Sequence, residues 1–411
     1  MEKIKLGVVG LGSRGFMLLR DNITKLQEYY TVTALCDVYE DRIEDAANLV
    51  TKSGMAKPYG TTDYNVLVKR DDVEAVLISC AWEYHVPVAC AAMKAGKAVA
   101  LEVGGAYSVE DCFLLVRTQE ETGAPFMFME NCCYDKSELL ATAMARKGLF
   151  GEIVHCSGSY SHDLREEVTR GKENRHYRLR NYLNRNCENY PTHELGPIAK
   201  LLDINRGNRM VSLVSVASKS AGMEAYVEAH KDTMNPELIG ADFKQGDIVH
   251  TIITCAGGET ILLKLDTSLP RFYSRDFTVR GTKGFYEQAT NLVFVEKEGE
   301  PEMFDPVPAY EKLLNSGKEY EAEYLPDVWK NITEEQIKSG HGGMDSIEFI
   351  EFAKALREGG EMPIDVYDAA SWMVISVLSE QSIANGGAPM NIPDFTGGKW
   401  LIRERKDVVP M

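Results

Sequence analysis

The chain has 411 residues, 44% hydrophobic and 26% charged, an ordinary globular composition with enough length for two domains. A net charge of −17 argues against nucleic acid or an anionic membrane as the main partner, yet leaves room for a phosphate-bearing cofactor held by backbone donors. Nine cysteines with no C-x-x-C pair, no secretory leader in residues 1–10 and no apolar run of membrane-spanning length suggest a cytoplasmic protein without disulfide framework or zinc knuckle.

In chain order, Ile4–Val9 reads as a short buried strand, and a glycine-rich turn opens a helix directly after it. Tyr30–Cys36 is a second apolar strand ending at Asp37. A helix follows at 42–51, a strand at 73–80, a helix at 86–95 and a strand at 98–101. Val109–Thr122 is helical and 125–129 a strand. This alternation predicts a doubly wound parallel sheet, an α/β Rossmann domain over 1–135. Beyond a helix at 137–147, strands with period-two alternation take over, at 153–160, 211–218, 249–255, 260–267, 276–281 and Gly284–Glu287. They predict an α+β domain over 136–411, built on a large open, mainly antiparallel sheet. The polar stretches 171–189 and 301–339 read as irregular insertions, and 348–357 and 366–383 as helices packing back on the body.

Gly10-Leu11-Gly12-Ser13-Arg14-Gly15 matches G-x-G-x-x-G. It follows a strand, opens a helix and is trailed by Asp37, 22 positions after Gly15. Gly10 allows the tight turn, Gly12 lets backbone approach a pyrophosphate, and Gly15 lets helix and strand pack closely. Asp37 can accept bonds from the adenosine ribose and repels a 2′-phosphate, so NAD is favoured over NADP. Arg14, inside the loop, could bear on the adenine or the phosphates. Trp82-Glu83-Tyr84-His85 and Glu102-Val103 fall at the carboxyl ends of later strands, where ligands bind in such sheets. His85 reads equally well as a satisfied helix cap.

These features resemble the Gfo/Idh/MocA family of sugar and inositol oxidoreductases over essentially the whole chain. Dehydrogenases of that family usually carry Glu-Lys-Pro where this chain has Glu102-Val103-Gly104, and valine cannot shuttle the substrate proton as their lysine does. A narrower resemblance, to glycoside hydrolase family 109, rests on six blocks in matching order. They are Glu130-Asn131-Cys132-Cys133-Tyr134, Gly148-Leu149-Phe150-Gly151-Glu152-Ile153, Tyr190-Pro191-Thr192-His193-Glu194-Leu195-Gly196-Pro197, Leu202-Asp203-Ile204-Asn205-Arg206-Gly207, His341-Gly342-Gly343-Met344-Asp345 and Asp365-Val366-Tyr367-Asp368-Ala369-Ala370. The resemblance implies an NAD-dependent glycosidase, with α-N-acetylgalactosaminidase the family's named activity. It implies NAD contacts at Ser13, Arg14, Asp37, Trp82, Glu83, Tyr84, His85, Glu102, Val103 and Asn131. Substrate contacts are implied at Tyr160, Arg178, Tyr190, Pro191, Thr192, His193 and Tyr273, with His341 close by. It also implies a homo-oligomer, a dimer or tetramer.

A glycosidase normally flanks the scissile bond with two carboxylates, and no such pair stands on these segments. A redox route removes the need. The sugar is oxidised transiently at C3 against tightly bound NAD, the acidified C2 proton is removed and the aglycone leaves by elimination. Water then adds, C3 is reduced again, and the cofactor is recycled. His193 is the candidate acid/base and Tyr190 its partner, because a spacing of three at a helix start places both on one face. Tyr273 and His341 are candidates for the second proton transfer, and strand alternation puts His162 on the Tyr160 face. His155, His162 and His193 lack metal-ligand spacing, so no metal is expected. Cys132-Cys133 reads as structural. The alternatives are an NAD-dependent sugar or inositol dehydrogenase and a cofactor-binding regulator without turnover.

Overall fold

Short apolar strands, buried on both faces except for a three-residue exposed strand at one edge, build the first sheet, as a parallel sheet covered by helices requires. They are β1 (Ile4–Val9), β2 (Tyr30–Cys36), β3 (Tyr59–Thr61), β4 (Ala75–Ile78), β5 (Ala98–Glu102) and β6 (Phe126–Met129). All pair in parallel, in the order β3-β2-β1-β4-β5-β6. The chain reverses its direction of travel between β1 and β4, and that crevice is where a doubly wound sheet binds its ligand. The crossover helices carry ordinary end signals. In Val109–Thr122, the Ser108 side chain accepts from the Asp111 N–H at 3.0 Å, and Gly123 ends the helix in the left-handed region at φ 63°. The computed structural model describes residues 2–296 and 306–411.

The second sheet contains β7 (Ile153–Ser161), β8 (Met210–Ala217), β9 (Ile248–Cys255), β10 (Thr260–Asp266), β11 (Thr278–Gly281), β12 (Gly284–Glu287), β13 (Leu292–Val295) and β14 (Met390–Asn391). Its order is β13-β12-β11-β7-β10-β9-β8-β14. Every pairing is antiparallel except β7 with β10. Along β9 buried and exposed residues alternate strictly, so one face meets a core and the other is open, with Ile252 and, on β8, Val216 exposed. The helix Thr192–Leu201 lies on β7, and Gly158 permits this closeness: a Cβ there would stand 3.1 Å from the Glu194 Cβ.

The chain divides into two compact units. One holds Met1–Tyr134, Arg175–Tyr177 and Ile332–Val374; the other holds the remainder. The division drawn from sequence put 332–374 with the second domain. In the structure these residues pack with the first, because Asp345 ion-pairs with Arg14 and the Phe128 N–H bonds to the Ile364 carbonyl. The long helix Val366–Ala384 begins in the first unit and ends in the second.

Both polar insertions differ from expectation. Residues 171–189 contain a helix, Arg178–Asn184, and bury Asn181, Tyr182, Cys187, Glu188 and Asn189. Internal partners satisfy part of this polarity: the Tyr182 hydroxyl meets Thr267 Oγ1 at 2.6 Å, and Gln245 bonds both Asn189 and the Cys187 carbonyl at 3.0 Å. From 306 to 339 the second insertion is a run of short helices, Pro306–Leu313, Gly317–Tyr324, Asp327–Lys330 and Glu334–Ile337, the last with a Thr333/Gln336 capping box. Residues 301–305 of that insertion lie outside the described residues. Among the described residues no helix is long and apolar enough to cross a membrane.

Candidate active site

In the first unit the turn after β1 is built for close backbone approach. Gly10 has φ 94°, and a Cβ there would strike the Cys80 backbone; at Gly15 it would strike the Gly10 carbonyl. Asp37, at the end of β2, accepts from the Leu11 N–H at 2.7 Å and the Tyr39 N–H at 3.0 Å, with Arg42 Nη1 3.8 Å away. The carboxylate therefore braces the glycine turn from the side where a ribose would sit. Ser13 opens the helix Ser13–Leu18.

Trp82, Glu83 and Tyr84 form a tight turn after β4, with Trp82 buried and Tyr84 exposed. His85 is buried, its Nε2 donating to the Cys80 carbonyl at 3.1 Å, and burial lowers its pKa to about 4. It is thus a neutral ring bonded to the turn it follows. The ring is bonded back to the Cys80 carbonyl and no side chain caps the helix His85–Lys94, so His85 is not the helix cap that the sequence allowed.

At the ends of β5 and β6, Glu102, Val103 and Asn131 are all buried. Arg14 donates to Glu102 at 3.0 Å and makes a two-pronged contact with Asp345 at 2.9 and 3.1 Å. Asp345 also accepts from Asn131 Nδ2 at 2.7 Å, and its other oxygen lies 2.9 Å from His341 Nδ1. Burial alone would raise the Asp345 carboxyl, but the Arg14 charge and the bonds from His341 and Arg14 hold it well below the usual range. His341 belongs to this first unit, beside Arg14 and Asp345, and has a left-handed backbone at φ 51°. Glu348, in the same cluster, has neither oxygen hydrogen-bonded. Burial, then the charges of Glu102 and Asp345, push its carboxyl far up, which favours the protonated form.

In the second unit β7 and the segment before Thr192–Leu201 bring aromatic and imidazole rings together. The Tyr160 ring centroid is 4.5 Å from that of Tyr190 and 5.5 Å from that of His193; Tyr190 and His193 are 4.7 Å apart, edge to face. The Tyr190 hydroxyl stands 3.5 Å from His193 Nε2, and the Tyr160 hydroxyl 3.3 Å from His162 Nδ1. Tyr273, half exposed, closes the far side 5.2 Å from His162, and Arg178 lies 5.1 Å over the Tyr190 ring. Burial, reinforced by the Arg178 charge, lowers the His162 pKa, which favours a neutral ring able to accept a proton. Pro191 and Thr192 start the helix, Thr192 fully buried. Pro197, inside it, cannot donate to the His193 carbonyl four residues back. His155 is turned to Thr260 Oγ1 at 2.9 Å.

The family model described as Glycosyl hydrolase 109, C-terminal domain, matches residues 134–402, and that of the Oxidoreductase family, NAD-binding Rossmann fold, matches 4–130. A glycosyl hydrolase family 109 protein of Stenotrophomonas maltophilia (strain K279a) is 37% identical over 430 residues, spanning 99% of this chain and 92% of that protein. The chain belongs to glycosyl hydrolase family 109. A second relative, an alpha-N-acetylgalactosaminidase of Tannerella forsythia, is 36% identical over 98% of this chain and 88% of its own length. Among solved structures, levoglucosan dehydrogenase in complex with NADH and levoglucosan superposes with a TM-score of 0.69 at 17% identity, covering 95% of this chain and all 100% of that one. Myo-inositol 2-dehydrogenase from Lactobacillus plantarum gives 0.66 at 16%, with coverage of 95% and 100%. These neighbours share the fold. The family 109 chain is a glycosidase on an oxidoreductase frame, with an NAD-binding Rossmann domain. The glycine turn, where a Cβ at Gly10 or Gly15 would meet backbone, and the Asp37 carboxylate fit that cofactor.

Several buried or paired residues near these candidate residues, within each unit, have no role in the reading from sequence. Asp345 stands in one of the six matching blocks, and a carboxylate four residues after His341 at a helix start invites pairing. Glu130, fully buried at the end of β6, and the carboxyls Glu188 and Glu194, both raised chiefly by burial, gave no signal because acids are expected outside. Arg175–Tyr177 lies in the polar stretch 171–189, whose composition reads as surface.

Proposed function

We propose that this protein hydrolyses N-acetylgalactosaminides or closely related glycosides by transient oxidation at the sugar C3, with NAD tightly bound and recycled. The Tyr190–His193 pair, 3.5 Å apart beside Tyr160 and Arg178 in a family 109 domain, is the observation that carries this conclusion. NAD, when bound, supplies a reversible hydride acceptor. The rest is proton transfer. His193 takes and returns the hydroxyl proton, and Tyr190 orients its imidazole. His162, kept neutral, is available to remove the proton at C2, and Arg178 and Tyr160 orient the ring. Buried Val103 keeps the position after Glu102 apolar, so no lysine ammonium stands there to serve a dehydrogenase. Relatives named alpha-N-acetylgalactosaminidase support the choice of sugar. Assembly as a dimer or tetramer through the open sheet face belongs to the same proposal. The alternating exposed Val216 and Ile252 support it.

The test is a panel of p-nitrophenyl glycosides in deuterated water, with and without added NAD. Aglycone release with deuterium at C2 is expected; NADH accumulating with substrate and no aglycone release would select a sugar dehydrogenase instead. His193→Ala abolishes turnover while NAD stays bound, and a fully active variant removes His193 from the mechanism.

A further inference from the structure

Arg175–Tyr177 joins the first unit although the chain on both sides of it belongs to the second. It grips the first unit at two places. Arg175 forms a two-pronged pair with Asp41, at 3.0 and 2.8 Å, and its guanidinium lies 4.3 Å over the Tyr39 ring. Its carbonyl accepts from Arg42 at 3.4 Å. Two residues on, the Tyr177 ring packs on Trp82 with centroids 4.8 Å apart, and His176 stacks on Tyr177 at 4.6 Å. Arg175 holds φ 53°, an uncommon backbone state for a residue with a side chain, which these contacts must maintain.

The two grips lie on opposite sides of the glycine turn. Tyr39, Asp41 and Arg42 follow β2, and Trp82 follows β4; in the sheet these strands flank β1 on either side. Two strand spacings make roughly 10 Å, a distance that about three extended residues can span. The segment therefore lies across the carboxyl end of β1, over the crevice where the strand order reverses and a dinucleotide would lie.

We propose that Arg175–Tyr177 is a clasp over the dinucleotide groove, with Arg175 and Tyr39 walling the adenosine end and Tyr177 and Trp82 the other, and that it retains the nicotinamide cofactor between turnovers. This rests on NAD binding at residues 10–15. The exposed Arg175–Asp41 pair is weak by itself. Joined to the Tyr177 grip by a tether of one residue, it recloses faster than the cofactor can leave, so the effect falls on dissociation.

The test uses the full-length protein, an Arg175→Ala/Tyr177→Ala double variant, and Asp41→Ala, which opens one grip from the opposite side. Bound dinucleotide is counted after gel filtration and denaturation, and its dissociation is timed against a trap in excess. The double variant is expected to lose cofactor at least tenfold faster, with Asp41→Ala intermediate and the KM for added NAD raised; a misfolded protein would lose kcat and its circular dichroism instead. Dissociation of both variants within twofold of the wild type would overturn the clasp alone. A wild type that neither carries nor binds NAD would overturn the cofactor site, and the clasp with it.

Discussion

Asp345→Ala removes the acceptor that ties the glycine loop to a helix 331 residues away in sequence. The wild-type carboxylate, with no exposed side-chain surface, takes two prongs from Arg14 and one bond from Asn131, and lies against His341. Truncation leaves the Arg14 cation with Glu102 as its remaining carboxylate and strands the Asn131 amide. Breaking a buried pair from one side costs about 3–5 kcal/mol. Arg14 keeps 25% of its side chain exposed, so water recovers part of the loss and the lower end, about 3 kcal/mol, is expected. For a unit of this size that lowers the first melting transition by roughly 6–12 °C. Asp345→Asn, which keeps one acceptor, loses less.

The pH dependence follows from the depressed carboxyl. Folding lowers the Asp345 pKa, so its contribution is complete above the unfolded value of about 3.9 and fades as pH falls below that. Calorimetry of wild type and variant at several pH values measures the gap, which should be flat from pH 6 to 8 and begin to narrow below pH 4. A variant melting within 2 °C of the wild type at pH 7, or a gap that widens on acidification, would refute the reasoning.

Glu348→Gln should raise stability at pH 8 and change nothing near pH 4, read by urea denaturation. Folding raises this carboxyl, so the wild type is penalised progressively above the unfolded value of about 4.3, whereas glutamine is not. Gly10→Ala should abolish dinucleotide uptake, measured by fluorescence titration, because the methyl group meets the Cys80 backbone at a φ of 94°; the strain alone costs about 1–3 kcal/mol. Asp37→Ala should narrow the preference for NAD over NADP in binding assays, since it leaves Arg42 facing the ribose position without its acid.

The Rossmann sheet was legible because local rules govern it. Ile4–Val9, Tyr30–Cys36 and Val109–Thr122 stand where hydrophobic runs and cap residues put them. β3 was not, having three residues, none buried, and existing only through its pairing with β2. The parallel pairing of β7 with β10 is equally nonlocal: alternation announces a strand but not its neighbour. Tyr182 and Asn189 misled for another reason. Their polarity signals surface, and only the fold supplies the Thr267 and Gln245 partners that let them go inside. At the site, the short spacing of Tyr190 and His193 puts their side chains together, but not on one helix face, since Tyr190 precedes the helix Thr192–Leu201; the Arg14–Asp345 contact joins distant segments that no window could connect.

Val103 and the clasp bear on one question from opposite directions. A dehydrogenase returns its reduced cofactor to solution each cycle, so it needs both a proton relay next to the nicotinamide and a groove that opens. This chain has a buried valine where that relay stands in dehydrogenases, and three residues laid across the groove mouth. A hydrolase that reverses its own oxidation still has to move the hydroxyl proton, the task proposed for His193, but it has no need of a groove that opens, and it gains from a cofactor that cannot leave while the sugar is oxidised. Loss of NADH at that moment would strand a keto sugar and an inactive protein. On the proposed route retention is part of the chemistry, and residues that provide it would act beside those that move protons.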